Sequence, residues 1–351
     1  MPLTSETVVA EPLERRGLLK VSGADAFGLL QGLMTNDISH VESGISSMYT
    51  MFLNTRGRVL YDAIIYHTAE PGVLFIECDA TATSALERHL KTYRLRKRVN
   101  IDTDHEHKLW AVYDTSLNKN KSLEPLIDNI KDKLLGKVLP CADLELNKRV
   151  EKDGYSFSSL SSKNKVLMFQ DPRISELGVR VLCPSSEDVP ELLNVERGFI
   201  YRALRFTLGI GEGIDDLPPD SCFPLEANCD YLHGVSFHKG CYIGQELTAR
   251  THHTGVVRKR LMPLILEVVV NEANASKQQV LNEKGKPVGK VRGVEGMLAL
   301  GLLRVLEVLS AESLSLGSTK VQTMMPNWWP KEAPKEAPKE APKELESRGK
   351  E

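Results

Sequence analysis

The chain has 351 residues, 41% of them hydrophobic and 26% charged, a globular balance with length for two or three domains. A formal net charge of −2 excludes bulk electrostatic attraction to nucleic acid or to an anionic membrane, and no apolar run approaches the ~20 residues of a spanning helix. The six cysteines, Cys78, Cys141, Cys183, Cys222, Cys229 and Cys241, include no C-x-x-C pair, which points to a reducing compartment and away from a disulfide scaffold or a structural zinc site.

In chain order, Met1 to Arg16 carries Glu6, Glu11 and Glu14. It lacks the arginine-rich, acid-poor texture of a mitochondrial presequence and reads as a flexible segment, residues 1–16. Gly17 to Val21 is a short strand, and Asp25 opens a helix with Phe27, Leu30 and Leu33 at helical spacing. Asn36 and Asp37 fall at its end, where Asx residues cap or turn the chain. Met48 to Leu53 and Val59 to His67 form a hairpin across Asn54-Thr55-Arg56-Gly57, with Gly57 as the positive-φ residue. Gly72 to Cys78 is a third strand, and Thr81 to Arg94 an amphipathic helix with Leu86, Leu90 and Tyr93 on one stripe. Its basic end, Lys91, Arg94, Arg96, Lys97 and Arg98, suits a helix C-terminus or an anionic ligand tail.

Lys108 to Asp114 is a strand. Leu117 to Asn147 is lysine-rich and poorly patterned, with one helix near Leu126 to Leu135. Lys165 to Gln170 and Gly178 to Cys183 are strands flanking a turn at Asp171-Pro172-Arg173. Pro190 to Leu208 reads as the longest helix, with Val195, Phe199, Ala203 and Phe206 on one face and Gly209 as its stop. Gly209 to Pro224 is a long irregular segment of the kind that is often functional. Its Gly209-x-Gly211-x-Gly213 follows a helix rather than a strand, which rules out a dinucleotide or P-loop reading. Beyond a boundary near Thr254-Gly255, short strands with glycine turns predict a small β-barrel, with Trp328-Trp329 docked on it. Pro-Lys-Glu-Ala repeats from Pro330 onward are predicted to be disordered.

The chemistry concentrates in Lys239-Gly240-Cys241-Tyr242-Ile243-Gly244-Gln245-Glu246. A thiol between two glycines, ahead of a short helix over Gln245 to Arg250, with Lys239 and Arg250 as nearby cations, meets conditions that favour a thiolate. The bland alternative is a buried structural cysteine.

The octapeptide resembles the motif of the YgfZ-type proteins, iron–sulfur cluster assembly relatives of the glycine-cleavage aminomethyltransferase. So do Gly32 to Ile38, Phe52 to Asp62, Pro224 to Asn228, the run Leu247 to Leu261 with Thr251-His252-His253, and Pro326 to Pro330. The resemblance implies an α+β fold of aminomethyltransferase type, with antiparallel sheets and a C-terminal barrel. The domains expected are 17–105 with 185–254 as a folate-binding-like unit, 106–184 as a second unit, 255–329 as the barrel, and 330–351 as the tail.

It also implies an accessory factor in late maturation of 4Fe-4S proteins in the mitochondrial matrix. Cys241 is then a transient cluster ligand or redox thiol, supported by Lys239 and Arg250. Tetrahydrofolate is the implied cofactor, with Glu226 on the pterin side and Asn36, Asp37, Asn54 and Arg56 facing the same channel. A single cysteine cannot hold a four-iron cluster, so no stably bound metal is expected. The implied partners are A-type iron–sulfur scaffold proteins and 4Fe-4S clients. The alternatives are a tetrahydrofolate-dependent one-carbon transferase and a non-catalytic protein with a vestigial channel.

Overall fold

The computed structural model describes residues 7–68, 70–115, 138–139, 166–272 and 278–331. Strand β1 (Val8–Pro12) leads into β2 (Arg16–Ser22), which pairs in one antiparallel sheet with β3 (Ser47–Leu53), β4 (Val59–His67), β5 (Val73–Asp79) and β6 (Asn100–Asp104) in the order β3-β4-β5-β2-β6. Helices α1 (Ala26–Gln31), α2 (Ser39–Glu42) and α3 (Thr83–Arg94) belong to this unit.

The second sheet gathers β7 (His107–Asp114), β8 (Val138–Leu139), β9 (Leu167–Gln170), β10 (Val179–Pro184) and β11 (Glu196–Arg197) around β1, in the order β11-β1-β7-β10-β9-β8. Helices α4 (Val189–Leu193), α5 (Tyr201–Leu208), α6 (Gly213–Asp216) and α7 (Gln245–Thr254) then lead to a closed six-stranded barrel. Its strands are β12 (Lys259–Leu266), β13 (Gln279–Asn282), β14 (Pro287–Glu295), β15 (Leu298–Arg304), β16 (Leu314–Leu316) and β17 (Thr319–Thr323), with helix α8 (Val305–Leu309).

Successive side chains on a strand point to opposite faces, and here both faces of the sheets are covered. On β3, Tyr49, Met51 and Leu53 enter a central core, while Met48 and Phe52 enter the core under α1 and α3. On β7, Leu109, Ala111 and Tyr113 join the same central core, and Trp110 and Val112 face α4. Phe206 of α5 and Leu261, Leu300 and Leu302 of the barrel complete it, so one apolar cluster ties both sheets and the barrel together. A register shift between Val291 and Gly293 in the β14–β15 ladder marks where Phe206 approaches. A Cβ on Gly293 would stand 2.8 Å from that ring.

Three expectations need correction. Residues 8–12 are not flexible: Val9 and Ala10 are buried and β1 pairs with both β7 and β11. The second sheet therefore draws on the N-terminus and on 196–197 as well as on the stretch 106–184. The single helix over Pro190 to Leu208 is interrupted. Asn194 adopts a left-handed φ of 51°, β11 intervenes, and Phe199 is 85% exposed rather than on a buried stripe. Gly198 fits there because a Cβ would meet the Tyr113 hydroxyl at 2.8 Å and Val9 at 2.9 Å. The helix expected near Leu126 to Leu135 and the repeat tail beyond Lys331 lie outside the described residues. Trp329 is buried in the barrel core and the Trp328 indole donates to the Leu208 carbonyl at 2.8 Å, so the tryptophan pair fastens the barrel to α5.

Candidate functional site

The cysteine loop is positioned from below by a lysine. Lys239 Nζ donates to three backbone carbonyls, those of Gln31 (2.7 Å), Met34 (2.8 Å) and Asn36 (2.7 Å). An ammonium has three donors, and all are committed to the carbonyls at the end of α1, so Lys239 has none to offer the thiol. Burial pulls its pKa down to about 8, with Asp37 acting in the opposite direction.

The backbone adds to this latch. Ile243 N–H donates to the Gly32 carbonyl at 3.1 Å, and Ser236 N–H to that of Thr35 at 3.1 Å. Lys239→Met is expected to cost about 2–3 kcal/mol, given the strength of hydrogen bonds to charged groups, and to make the 236–244 loop proteolytically sensitive. Unchanged thermal unfolding and unchanged cleavage of the variant would contradict this role.

The two glycines of the motif do different jobs. Gly244 has φ 80° and caps the start of α7. Any Cβ there would strike the Asn54 carbonyl, and a Cβ on Gly57 would lie 2.8 Å from the Gly244 carbonyl. The β3–β4 turn and the cysteine loop thus close on each other backbone to backbone. A Cβ on Gly240 would meet nothing within 4 Å, so Gly240 stands in open space beside Cys241.

Cys241 itself is exposed, and its thiol is free. The other four described cysteines are buried. Burial pushes Cys78 up to about 12 and Cys183 and Cys222 up to about 11, and raises Cys229 further still. Among the described residues, Cys241 alone combines a thiol with solvent access. Arg250 is also exposed, in the second turn of α7.

The remaining sequence-derived candidates divide into three places. Asn36 is buried beneath the loop. Its amide donates to the Tyr49 and His233 carbonyls, both at 2.8 Å, and its Oδ1 accepts from Asp37 N–H. Asp37 Oδ1 accepts from Ser39 N–H, Ser39 Oγ and Gln31 Nε2. Burial would raise its pKa, but these hydrogen bonds from Ser39 and Gln31 outweigh it and hold the carboxyl low.

Asn54 lies in the hairpin turn, where its Oδ1 accepts from the N–H groups of Arg56 and Arg58 and its amide pairs with Asp220. Arg56 is exposed at the tip. Glu226 lines a cavity of about 270 Å³ with Phe223, Leu225, Leu247 and Thr251. None of Asn36, Asp37, Asn54 and Arg56 lines that cavity: Asn36 and Asp37 lie in the latch under the loop, Asn54 and Arg56 in the turn beside it, and Glu226 in a pocket behind α7.

The pocket sets one carboxylate and two cations, Arg258 and Lys259, against the apolar side chains of Phe223, Leu225, Leu247, Val256 and Val257. Glu226 Oε2 accepts from Phe223 N–H at 3.0 Å. Its other oxygen has no donor among the described residues, which suits the N–H edge of a flat heterocycle. The volume falls just under the ~300 Å³ lower end of ligand pockets.

Folding also assembles a buried ionic network from residues far apart in the sequence. Arg16, Arg173, Arg180 and Arg205 interleave with Asp62, Glu77, Asp171, Glu212 and Asp216 where the two sheets meet α5 and α6. Its trace in the sequence is that Glu77 and Arg180 each interrupt a mainly apolar strand, where a charge must find a partner.

An antiparallel sheet, a mixed sheet and a closed barrel about a shared core define an aminomethyltransferase-type fold. Glycine cleavage system aminomethyltransferase T from Bartonella henselae has a solved structure similar to this chain, with a TM-score of 0.64 over 91% of this chain and 85% of that one. Identity is 14%, so the likeness is one of fold. Residues 258–331 match the family described as CAF17, C-terminal beta-barrel domain. The chain is 35% identical to the mouse protein named iron-sulfur cluster assembly factor IBA57, mitochondrial, over 92% of this chain and 85% of that protein. It is 34% identical to the human protein of the same name, over 91% and 84%. A Dictyostelium discoideum homologue is 32% identical over 79% and 67%. The chain belongs to the IBA57 family of iron–sulfur cluster assembly factors.

Proposed function

We propose that this chain is a mitochondrial accessory factor in the late maturation of 4Fe-4S proteins, acting in the matrix, with Cys241 as a transient ligand for cluster cargo. The observation that carries this reading is the free, exposed thiol on a loop fastened by Lys239 and Gly244, in a chain whose relatives are named as assembly factors. A thiolate is a soft ligand suited to iron–sulfur cargo. Four-iron clusters take about four thiolates, so one cysteine on this chain shares the cluster with a carrier rather than keeping it. A-type scaffold proteins are the proposed carriers and 4Fe-4S enzymes the clients. Mixing the purified chain with a cluster-loaded A-type scaffold protein should yield a coloured complex by size-exclusion chromatography. No complex, with or without iron, would sink the reading.

Tetrahydrofolate is the proposed ligand of the pocket at Glu226, which would hold the pterin edge through its unengaged oxygen while Phe223 and Leu247 cover the ring. When bound, a reduced folate supplies a one-carbon carrier and a reducing pterin. Titration calorimetry with tetrahydrofolate should show binding that Glu226→Gln weakens at least tenfold; equal binding by both proteins would remove Glu226 from the site. The aminomethyltransferase-type fold favours a second reading, a folate-dependent one-carbon transferase. Turnover of a folate adduct that persists in Cys241→Ser would favour it over the first.

A further inference from the structure

We propose that the cationic surface from Arg88 to Arg98, with Leu95 at its centre, docks an acidic protein that carries cluster cargo to Cys241. This rests on the assembly reading above and names the kind of partner that site takes.

Residues 88–98 hold six cations, Arg88, Lys91, Arg94, Arg96, Lys97 and Arg98, and no carboxylate, in a chain of net charge −2. The dipole of α3 accounts for Lys91 and Arg94 in its last turn. It does not account for Arg96 to Arg98, which follow the helix on an exposed turn. Lys91 is paired with Glu87 and Arg98 with Asp25, and Arg94 donates to the Val99 carbonyl. Arg88, Arg96 and Lys97 have no ion-pair partner among the described residues. Like charges this close repel within a Debye length of about 8 Å, so the arrangement costs free energy until an anionic surface meets it. In the middle, Leu95 is 85% exposed with φ 49°, an uncommon backbone for a leucine. An apolar centre inside a charged rim is how protein interfaces are built.

Position links this surface to the thiol. A Cβ on Gly28 would stand 3.7 Å from Lys97 Nζ, and Arg98 N–H donates to Asp25 at 2.7 Å. Both contacts lie at the start of α1. The cysteine loop holds the other end of α1, through Lys239 on the Gln31 carbonyl and Ile243 on that of Gly32. Six helical residues span about 9 Å, so the cations and the cysteine loop flank one short helix. Tyr93 and Ile243 pack against the same core. A carrier seated on Leu95 and the cations would bring its cluster alongside the loop, whereas a lipid bilayer there would crowd the loop that has to receive a carrier.

The test uses the full chain as wild type, as the Arg96→Glu/Lys97→Glu double variant and as Cys241→Ser. The probe is an A-type scaffold protein loaded with a 2Fe-2S cluster. Association rates are measured by stopped flow from about 20 to about 200 mM salt. Electrostatic steering predicts that both raised salt and the double substitution slow wild-type association about tenfold, with the double variant's unfolding temperature no lower than that of wild type. Wild-type rates in the double variant, or rates insensitive to salt, would overturn the proposal. The coloured complex that Cys241→Ser forms with the loaded scaffold reads out the assembly function separately. Loss there with unchanged double-variant rates means the docking surface is wrong and the function stands; retention there with slowed double-variant rates means the surface stands and the thiol's role does not. Flotation with cardiolipin-containing vesicles supplies the last arm: vesicle binding lost in the double variant, with scaffold association intact, would assign the surface to a membrane and overturn the proposal.

Discussion

Cys241→Ser is expected to leave the fold unchanged and to abolish rescue of 4Fe-4S enzymes in cells lacking the endogenous protein. The sulfur is exposed and packs into no core, so its replacement should fall within the ±0.5 kcal/mol usual for surface changes, a shift of about 1–2 °C in unfolding temperature. Activity of a 4Fe-4S enzyme such as aconitase should fall at least tenfold at equal protein level. Cys229→Ser is the informative control. Cys229 is buried, with Thr35 Oγ1 at 4.0 Å, so a hydroxyl there should cost about 1–3 kcal/mol and lower abundance, while the surviving protein retains activity per molecule. Full rescue by Cys241→Ser would end the proposed role of the thiol.

The second large effect belongs to the buried ionic network. Arg180 donates to Asp171 at 3.1 Å, to Glu212 at 2.6 Å and to the Tyr201 hydroxyl at 2.8 Å, and lies 3.5 Å from Glu77. Removing one partner of such a set leaves uncompensated buried charge, typically 3–5 kcal/mol. Arg180→Met should therefore lower the unfolding temperature by roughly 10 °C. Arg180→Lys should restore little of it, because a lysine cannot reproduce the guanidinium fork. An Arg180→Met protein that melts within 2 °C of wild type would refute the account.

The same network sets the response to acid. Burial alone would raise the Glu212 carboxyl, but Arg180, Arg173 and Arg205 outweigh it and hold the group well below its usual 4.5. Asp171 is lowered from 3.8 in the same way, burial being outweighed by Arg173 and Arg180. A depressed carboxylate contributes stability that is fully present above its unfolded value and is lost as pH falls through its folded value. Stability from these two groups should hold from neutral pH to about 4.5 and then fall steeply. Asp216 opposes them: burial outweighs Arg205 and raises its pKa above 3.8, so protonation on acidification relieves a cost. Denaturant melts at pH 7, 5 and 3.5 read the sum, and a protein equally stable at all three would contradict the network's sign.

Much of the site was legible locally. The thiol between two glycines, the hairpin with Gly57 at its turn and the α7 start after Gly244 all follow from short-range rules, because positive φ and helix entry are properties of a few adjacent residues. The barrel was legible from strand and glycine-turn spacing. Helical periodicity over Pro190 to Leu208 takes no account of β1, which draws residues 196–197 into a parallel pairing. Its place two residues away makes Lys239 look like a companion of the thiol. Its true partners, the carbonyls of Gln31, Met34 and Asn36, are some two hundred residues distant in sequence.

Sequence by itself determined that one cysteine sits in a glycine-flanked turn ahead of a helix, and that the chain ends in a β-barrel. Only the tertiary structure decided which charges are buried, what Lys239 holds, and that the cation-rich turn after α3 shares a helix with the cysteine loop. The reason is the range of the forces: backbone torsion is settled between neighbours, whereas a buried ion is settled by whichever distant group folding brings within hydrogen-bond reach.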